Sequence, residues 1–373
     1  MTFDPVRLAA PGVRTLAPYV PGKPIEELER EYGIRDSIKL ASNENPLGPG
    51  PKALEAIARA SREIGLYPDG SGFALKQALA RKHGCAMECI TLGNGSNDVL
   101  VMVAEAFLTP DSEAVYSQYG FAVYPIAVQA TGATARVAPA LAADSDMPLG
   151  HDLEAMARLI NDRTRVVFVA NPNNPTGTWV DSDALRRFVA SVPTHALVVV
   201  DEAYIEYVSE PKYPDTSRWL SEFPNLVVTR TFSKAYGLAG LRVGYALSSP
   251  GVADLLNRVR QAFNVNSLAL AAARAALEDT EHLARSVEVN RAGLAQLEAG
   301  FKALGVKYLP SVGNFMLIDC ERPAGPVYEA MLRQGVIVRP VANYQLPNHM
   351  RITVGTREQN ERMLAALRTA LGR

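Results

Sequence analysis

Cysteine is scarce: the 373 residues hold three, Cys85, Cys89 and Cys320, too few to build a disulfide framework. Cys85 and Cys89 have no second pair with which to complete a zinc site, and His83, His151, His195, His282 and His349 stand at none of the spacings that metal centres use. No metal is expected, and such cysteine usage suits a reducing, cytoplasmic compartment. An excess of one charge is also missing. With 38 Lys+Arg against 39 Asp+Glu, the formal net charge is −1, which argues against a polybasic binder of nucleic acid or membrane. No uncharged apolar run approaches the roughly 18 residues of a membrane-spanning helix. The opening Met1-Thr2-Phe3-Asp4-Pro5-Val6-Arg7, followed by Pro11, Arg14 and Pro18, offers no signal-peptide core. Neither secretion by that route nor membrane insertion is expected. Disorder as the main state is excluded, since 48% of residues are hydrophobic and 21% charged, enough to bury substantial cores.

What is present is a repeated βα grammar. Short β-branched runs at Ile90–Leu92, Ala114–Tyr116, Arg165–Ala170, Ala196–Val200, Leu226–Thr229 and Arg242–Leu247 alternate with helical periods at Pro51–Arg62, Phe73–His83, Asn97–Phe107, Leu153–Ile160 and Ala184–Val192. Val166–Val169 and Leu197–Val200 are continuously apolar, as parallel strands covered on both faces require. The pattern predicts a three-layer, mostly parallel α/β sheet. Three units are expected: an N-terminal arm over 1–45, rich in proline with one short helix near Ile25–Glu31; a large domain over 46–265; and a smaller α+β domain over 266–373. The last opens on one long Ala/Leu-rich helix, Ser267–Gly300, and ends on a helix over Glu358–Leu371.

Four segments just after strands of the large domain carry candidate chemistry, at the place where open α/β sheets bind ligands. Leu92-Gly93-Asn94-Gly95-Ser96-Asn97-Asp98 is a strand-to-helix turn whose free N–H groups and helix dipole favour a phosphate; read blandly, it is only a turn. Asn171-Pro172-Asn173-Asn174-Pro175-Thr176-Gly177 is stiffened by two prolines and aims amides at a ligand, although such residues also make ordinary loops. Asp201 leaves an apolar strand, where a carboxylate suits a cation or a protonated heterocycle. The alternative, an exposed acid at a helix start, suits Glu202 better. Lys234 follows Thr231-Phe232-Ser233, with Arg242 eight positions on; this arrangement suits imine chemistry beside a bound phosphate, whereas a lone lysine is usually a surface residue.

In order and spacing these segments, together with Leu16-Ala17-Pro18-Tyr19, Leu40-Ala41-Ser42-Asn43-Glu44-Asn45-Pro46, Tyr67-Pro68-Asp69-Gly70 and Arg351-Ile352-Thr353-Val354-Gly355, resemble the histidinol-phosphate aminotransferase family. These are class II aminotransferases of pyridoxal-phosphate fold type I. The resemblance implies that Lys234 bonds to pyridoxal 5'-phosphate and moves a proton, and that Asp201 pairs with the ring nitrogen. Asn174 and Tyr204 would hydrogen-bond the phenolic oxygen, and Tyr119, or else Phe121, would stack on the ring; the proline usual before the stacking aromatic is absent here. Gly95, Ser96, Asn97, Thr231, Ser233 and Arg242 would hold the phosphate. Arg351 would take the substrate anion, with Arg339, Tyr19 and Asn43 on the substrate side. Tyr67 and Tyr19 would reach into a partner's site, making a homodimer the active unit.

The implied reaction transfers an amino group from L-histidinol phosphate to 2-oxoglutarate, in histidine biosynthesis. An aromatic amino acid transaminase shares every motif, because Arg351 suits a carboxylate as well as a phosphate. A decarboxylase similar to threonine-phosphate decarboxylase differs only in which bond at Cα is cleaved. A non-catalytic effector-binding domain is disfavoured, since a 45-residue arm is too short for a winged helix.

Overall fold

The computed structural model describes residues 3–373; Met1 and Thr2, the first residues of the expected arm, lie outside the described residues. The arm contributes a short helix, Ile25–Tyr32, that buries Leu28, and a two-residue strand β1 (Ile38–Lys39). Seven strands then build the large sheet: β2 (Ile90–Gly93), β3 (Glu113–Ser117), β4 (Thr134–Ala138), β5 (Thr164–Ala170), β6 (Leu197–Asp201), β7 (Leu226–Thr231) and β8 (Gly244–Ser248), in the order β2-β8-β7-β6-β5-β3-β4. Only β8 runs against its neighbours. The apolar runs of β5 and β6 are buried throughout, with only Arg165 of these strands exposed, because helices cover both faces of the sheet. One core cluster gathers Val167, Val169, Val198 and Val200 and the other Val166, Phe168 and Val199, so the period-2 alternation of each strand feeds both layers.

Two features depart from expectation. The segment Ser267–Gly300 is not one helix but two, Ser267–Leu277 and Thr280–Ala303. Asn266 caps the first through the N–H of Ala269. The break falls at Glu278-Asp279, where the buried Asp279 carboxylate accepts the N–H of Lys52 at 3.2 Å; a tertiary demand outweighs local helix propensity. Ala269, Ala272, Ala273 and Ala276 of the first helix join the core beneath the large sheet. Strand β4 and the helices Val123–Ala130 and Pro250–Val259 also have no counterpart among the expected elements. β4 lies at the sheet edge with Thr134 and Ala135 exposed and therefore shows no apolar run.

The remaining strands are β9 (Lys307–Leu309), β10 (Phe315–Asp319), β11 (Val336–Ile337), β12 (Arg339–Pro340) and β13 (His349–Thr353). Four of them form an antiparallel sheet in the order β12-β13-β10-β9, while β11 pairs in parallel with β1 and ties the arm to this smaller unit. The closing helix, Arg357–Leu371, starts at a capping box between Thr356 and Gln359. The C-terminal ends of β2, β5, β6 and β7 thus open toward one cleft, closed from the other side by β12 and β13.

Candidate active site

One end of the cleft is made for an anion. Gly95, with φ 87°, precedes the helix Ser96–Phe107, whose first N–H groups have no carbonyl within the helix. A Cβ on Gly95 would meet Arg242 Nη2 at 2.3 Å, and one on Gly244 would meet Ser96 N at 2.3 Å, so only glycines let the guanidinium and the turn come this close. Arg242 is itself left-handed at φ 56°. It donates to Ser233 Oγ at 3.1 Å and to the Ala239 carbonyl at 3.0 Å, while Thr231 Oγ1 donates to Ser233 Oγ at 3.0 Å. Hydroxyls, guanidinium and helix N-terminus converge as a phosphate cradle.

In the middle of the cleft stand Lys234 and Asp201. Lys234 Nζ donates to the Ser42 carbonyl at 3.1 Å. Burial first, and then the Arg351 guanidinium, pushes its ammonium down to about 7, so the amine is substantially neutral near physiological pH. Asp201 is 5% exposed and pairs with no cation among the described residues. Its oxygens accept from Thr229 Oγ1 at 2.8 Å and Tyr124 Oη at 3.3 Å. Burial pushes its carboxyl up to about 6 against these two hydroxyls. A buried carboxylate lacking a positive partner fits the ring N–H of a protonated heterocycle. Directly after it, Glu202 is not the exposed acid its position implied: it is fully buried, and accepts from Arg230 Nε at 2.9 Å and Nη2 at 2.7 Å and from Thr216 Oγ1 at 2.6 Å.

The substrate end holds the arginines. Arg351, on β13, is 7% exposed; its Nη1 donates to Asn174 Oδ1 at 2.5 Å and its Nη2 to the Ala41 carbonyl at 2.6 Å, while Nε is buried with no partner. No carboxylate pairs with it among the described residues, which leaves a guanidinium suited to an incoming anion. Arg339 is at the rim, donating to the Val20 carbonyl at 2.6 Å with Tyr19 5.9 Å from its guanidinium carbon. That contact holds Tyr19 on this chain's own cleft, whereas the resemblance assigned it to a partner's site.

Of the expected site residues, Ser96, Asn97, Asn174, Asp201, Tyr204, Thr231, Ser233, Lys234, Arg242, Arg351, Arg339, Tyr19 and Asn43 all line the cleft, and Gly95 borders it. Tyr119 does not. It packs on the cluster of Leu317, Val341, Tyr344 and Leu346, and Phe121 lines the cleft in its stead, because the chain after β3 turns through Gly120, whose N–H bonds back to Ser117. Tyr67 also stands apart, 82% exposed and stacked on Phe263 at 4.7 Å. Asn43 spends its amide on Tyr204 Oη and Thr353 Oγ1. Missed altogether were Tyr124 and Thr229, the two donors to Asp201; neither lies in a motif that marks it.

A mostly parallel sheet whose strand ends gather a half-buried lysine, an unpaired buried carboxylate and a phosphate cradle defines a pyridoxal-phosphate enzyme of fold type I. The family model described as aminotransferase class I and II matches residues 35–367. Histidinol-phosphate aminotransferase 2 of Pseudomonas aeruginosa is 60% identical over 98% of each chain, and histidinol-phosphate aminotransferase 1 of Nitrosococcus oceani is 57% identical over 98% of this chain and 97% of that one. The crystal structure of histidinol-phosphate aminotransferase from Sinorhizobium meliloti, in complex with pyridoxal-5'-phosphate, superposes with a TM-score of 0.88 at 30% identity, covering 97% of both chains. The chain belongs to the histidinol-phosphate aminotransferase family.

Proposed function

We propose that the chain, as a cytoplasmic pyridoxal-phosphate enzyme of histidine biosynthesis, transfers the amino group of L-histidinol phosphate to 2-oxoglutarate. The products are imidazolyl-oxopropyl phosphate and L-glutamate. The observation that carries the reading is Arg351: a buried guanidinium with an unpartnered Nε, opening on the lysine, and without an acidic partner among the described residues. Its natural complement is the phosphate of the donor or, in the second half of the reaction, a carboxylate of 2-oxoglutarate.

The residues present fit the cofactor. Bound pyridoxal phosphate supplies an aldehyde that takes up the amino group and a ring that accepts the electrons released at the donor's Cα. Gly95, Ser96, Asn97, Thr231, Ser233 and Arg242 would hold its phosphate, Asp201 its ring nitrogen, and Asn174 and Tyr204 its phenolic oxygen; Phe121, which lines the cleft where Tyr119 does not, would be the aromatic beside the ring. Lys234 Nζ, held near neutrality, takes up the Cα proton and returns one to the product side, the work of a base tuned to the operating pH. Arg351 and Arg339 draw the substrate anion to the far end and set Cα against the lysine. The cleft is bounded by β12 and β13 on one side and the large sheet on the other, which supports a division into arm, large domain and small domain, with the helix Ser267–Leu277, expected in the small domain over 266–373, packing instead in the core of the large one. A homodimer completes the reading, with Tyr67 offered to the partner.

The test loads the protein with pyridoxal phosphate, gives it 2-oxoglutarate, and follows glutamate with L-histidinol phosphate, L-phenylalanine or L-tyrosine in parallel. The expected result is a kcat/KM for L-histidinol phosphate well above both aromatic donors, and falling steeply in Arg351→Ala. Faster turnover of the aromatic donors would replace this substrate with theirs.

A further inference from the structure

Asn43 has an unusual backbone and a side chain bonded at both its amide oxygen and its amide nitrogen. Its φ is 55°, a left-handed conformation that asparagine adopts more readily than most residues. It is 1% exposed. Its carbonyl accepts from Asn314 Nδ2 at 3.0 Å, its N–H donates to Thr353 Oγ1 at 2.9 Å, the Thr353 hydroxyl donates to Asn43 Oδ1 at 3.2 Å, and Asn43 Nδ2 donates to Tyr204 Oη at 2.8 Å. Three parts of the chain therefore meet on one residue: the end of the arm, the large domain through Tyr204, and β13 through Thr353.

The direction of these bonds follows from counting protons. Were the amide reversed, the Thr353 hydroxyl would receive two N–H donors and its own proton would find no acceptor among the described residues. The amide is thus set with Nδ2 toward Tyr204, whose oxygen is then an acceptor on its protein side. A phenol has one proton. No described residue accepts it from Tyr204, which is 3% exposed and lines the cleft with Lys234 Nζ 5.7 Å from its ring centre. That proton is left for whatever the cleft binds. Thr353 stands two residues beyond Arg351 on the same strand, and its N–H is tied to Leu40, so the chain of bonds starts on the strand that carries the anion-binding arginine.

We propose that Asn43 is a positioning residue: it makes Tyr204 an acceptor toward the protein and so a donor toward the cofactor's phenolic oxygen, and it links that orientation to the strand bearing Arg351. This rests on the transaminase reading above. The resemblance placed Asn43 on the substrate; the bonds it makes put its action through Tyr204 instead.

The experiment compares Asn43→Gly and Asn43→Asp, each alone and combined with Tyr204→Phe, in the pyridoxal-phosphate-loaded enzyme. Glycine accepts φ 55° without strain and removes only the amide. Aspartate keeps the size, but its carboxylate accepts, and so pulls the phenol proton away from the cleft. Two quantities are read: the pH midpoint of the bound cofactor's visible absorbance change, and kcat and KM for the amino donor. Asn43→Gly is expected to raise the midpoint by about half a pH unit and to lower kcat about tenfold with donor KM little changed. Asn43→Asp should exceed it in both. In the Tyr204→Phe background neither substitution should change the midpoint or kcat further. A midpoint that stays put in Asn43→Gly, or the same loss in both backgrounds, overturns the proposal, since a merely structural role would act regardless of Tyr204. A wild-type chain that takes up no pyridoxal phosphate defeats the functional reading and this inference with it; a loaded, glutamate-forming wild type with additive losses defeats this inference alone.

Discussion

At Asp201 the needs of the site and of the fold oppose each other. The carboxyl rises from 3.8 to about 6 on folding. Between those values the folded chain holds a proton that the unfolded chain has released, so stability falls as pH rises through the window, and the loss is complete above about 6. Asparagine removes it. The cofactor-free Asp201→Asn variant should therefore be more stable than the cofactor-free parent at pH 7.5, by roughly 1–3 kcal/mol, with the difference vanishing near pH 4; urea denaturation at both pH values measures this. The loaded variant should lose nearly all transamination. Lys234 makes a second prediction at this scale. Only the neutral amine attacks an aldehyde, so the rate at which the cofactor-free chain captures pyridoxal phosphate should climb through about pH 7, where the ammonium is held. A rate still rising toward pH 10 would mean an ordinary lysine. Lys234 and Asp201 were legible in the sequence because each lies at or just beyond the end of a strand, and Arg242 because it stands eight positions after Lys234. Tyr124 was not, since the contact that gives it meaning spans 77 positions, and Tyr119 and Phe121 were told apart only by how the turn at Gly120 directs them.

The elements were legible where burial leaves a pattern, and hidden where it does not. β5 and β6 announce themselves as apolar runs because helices cover both their faces; β4 does not, because an edge strand needs no such run. The helix break at Glu278-Asp279 was hidden because alanine and leucine surround it, and its cause is a contact with Lys52 more than two hundred residues away. The strand–turn–helix unit at Gly95 yields a prediction that belongs to the element as a whole. In Gly95→Ala the new methyl strikes Arg242 Nη2 at 2.3 Å at a position whose φ of 87° is already strained for alanine. The guanidinium must withdraw from the phosphate. Affinity for pyridoxal phosphate should fall about 10- to 100-fold, while affinity for pyridoxal, which has no phosphate, should change little. Fluorescence titration of the cofactor-free variant with both compounds separates this from a general loosening of the site, which would weaken the two alike.

At the scale of the whole molecule, the site and the surface make one argument. Leu54, Ile64, Leu66, Tyr67, Phe73 and Phe263 are 45% to 82% exposed, and Tyr67 stacks on Phe263 instead of entering a core. Exposed apolar side chains scattered singly are ordinary, but five within twenty residues of chain, linked to a sixth by a stacked ring, mark a face that another surface covers. In the proposed homodimer the covering surface is a second copy, to whose cleft this segment delivers Tyr67. Charge placed on the face should then act on assembly and chemistry together, while a change at the Tyr67 hydroxyl should act on chemistry alone. Ile64→Asp with Leu66→Asp is expected to sediment as a monomer at micromolar concentration and to lose most of its glutamate formation while still folding, as far-ultraviolet circular dichroism would record. Tyr67→Phe should remain dimeric with a raised KM for the amino donor. A parent chain that sediments as a monomer at full activity would detach Tyr67 from the site and leave the apolar face to some other partner.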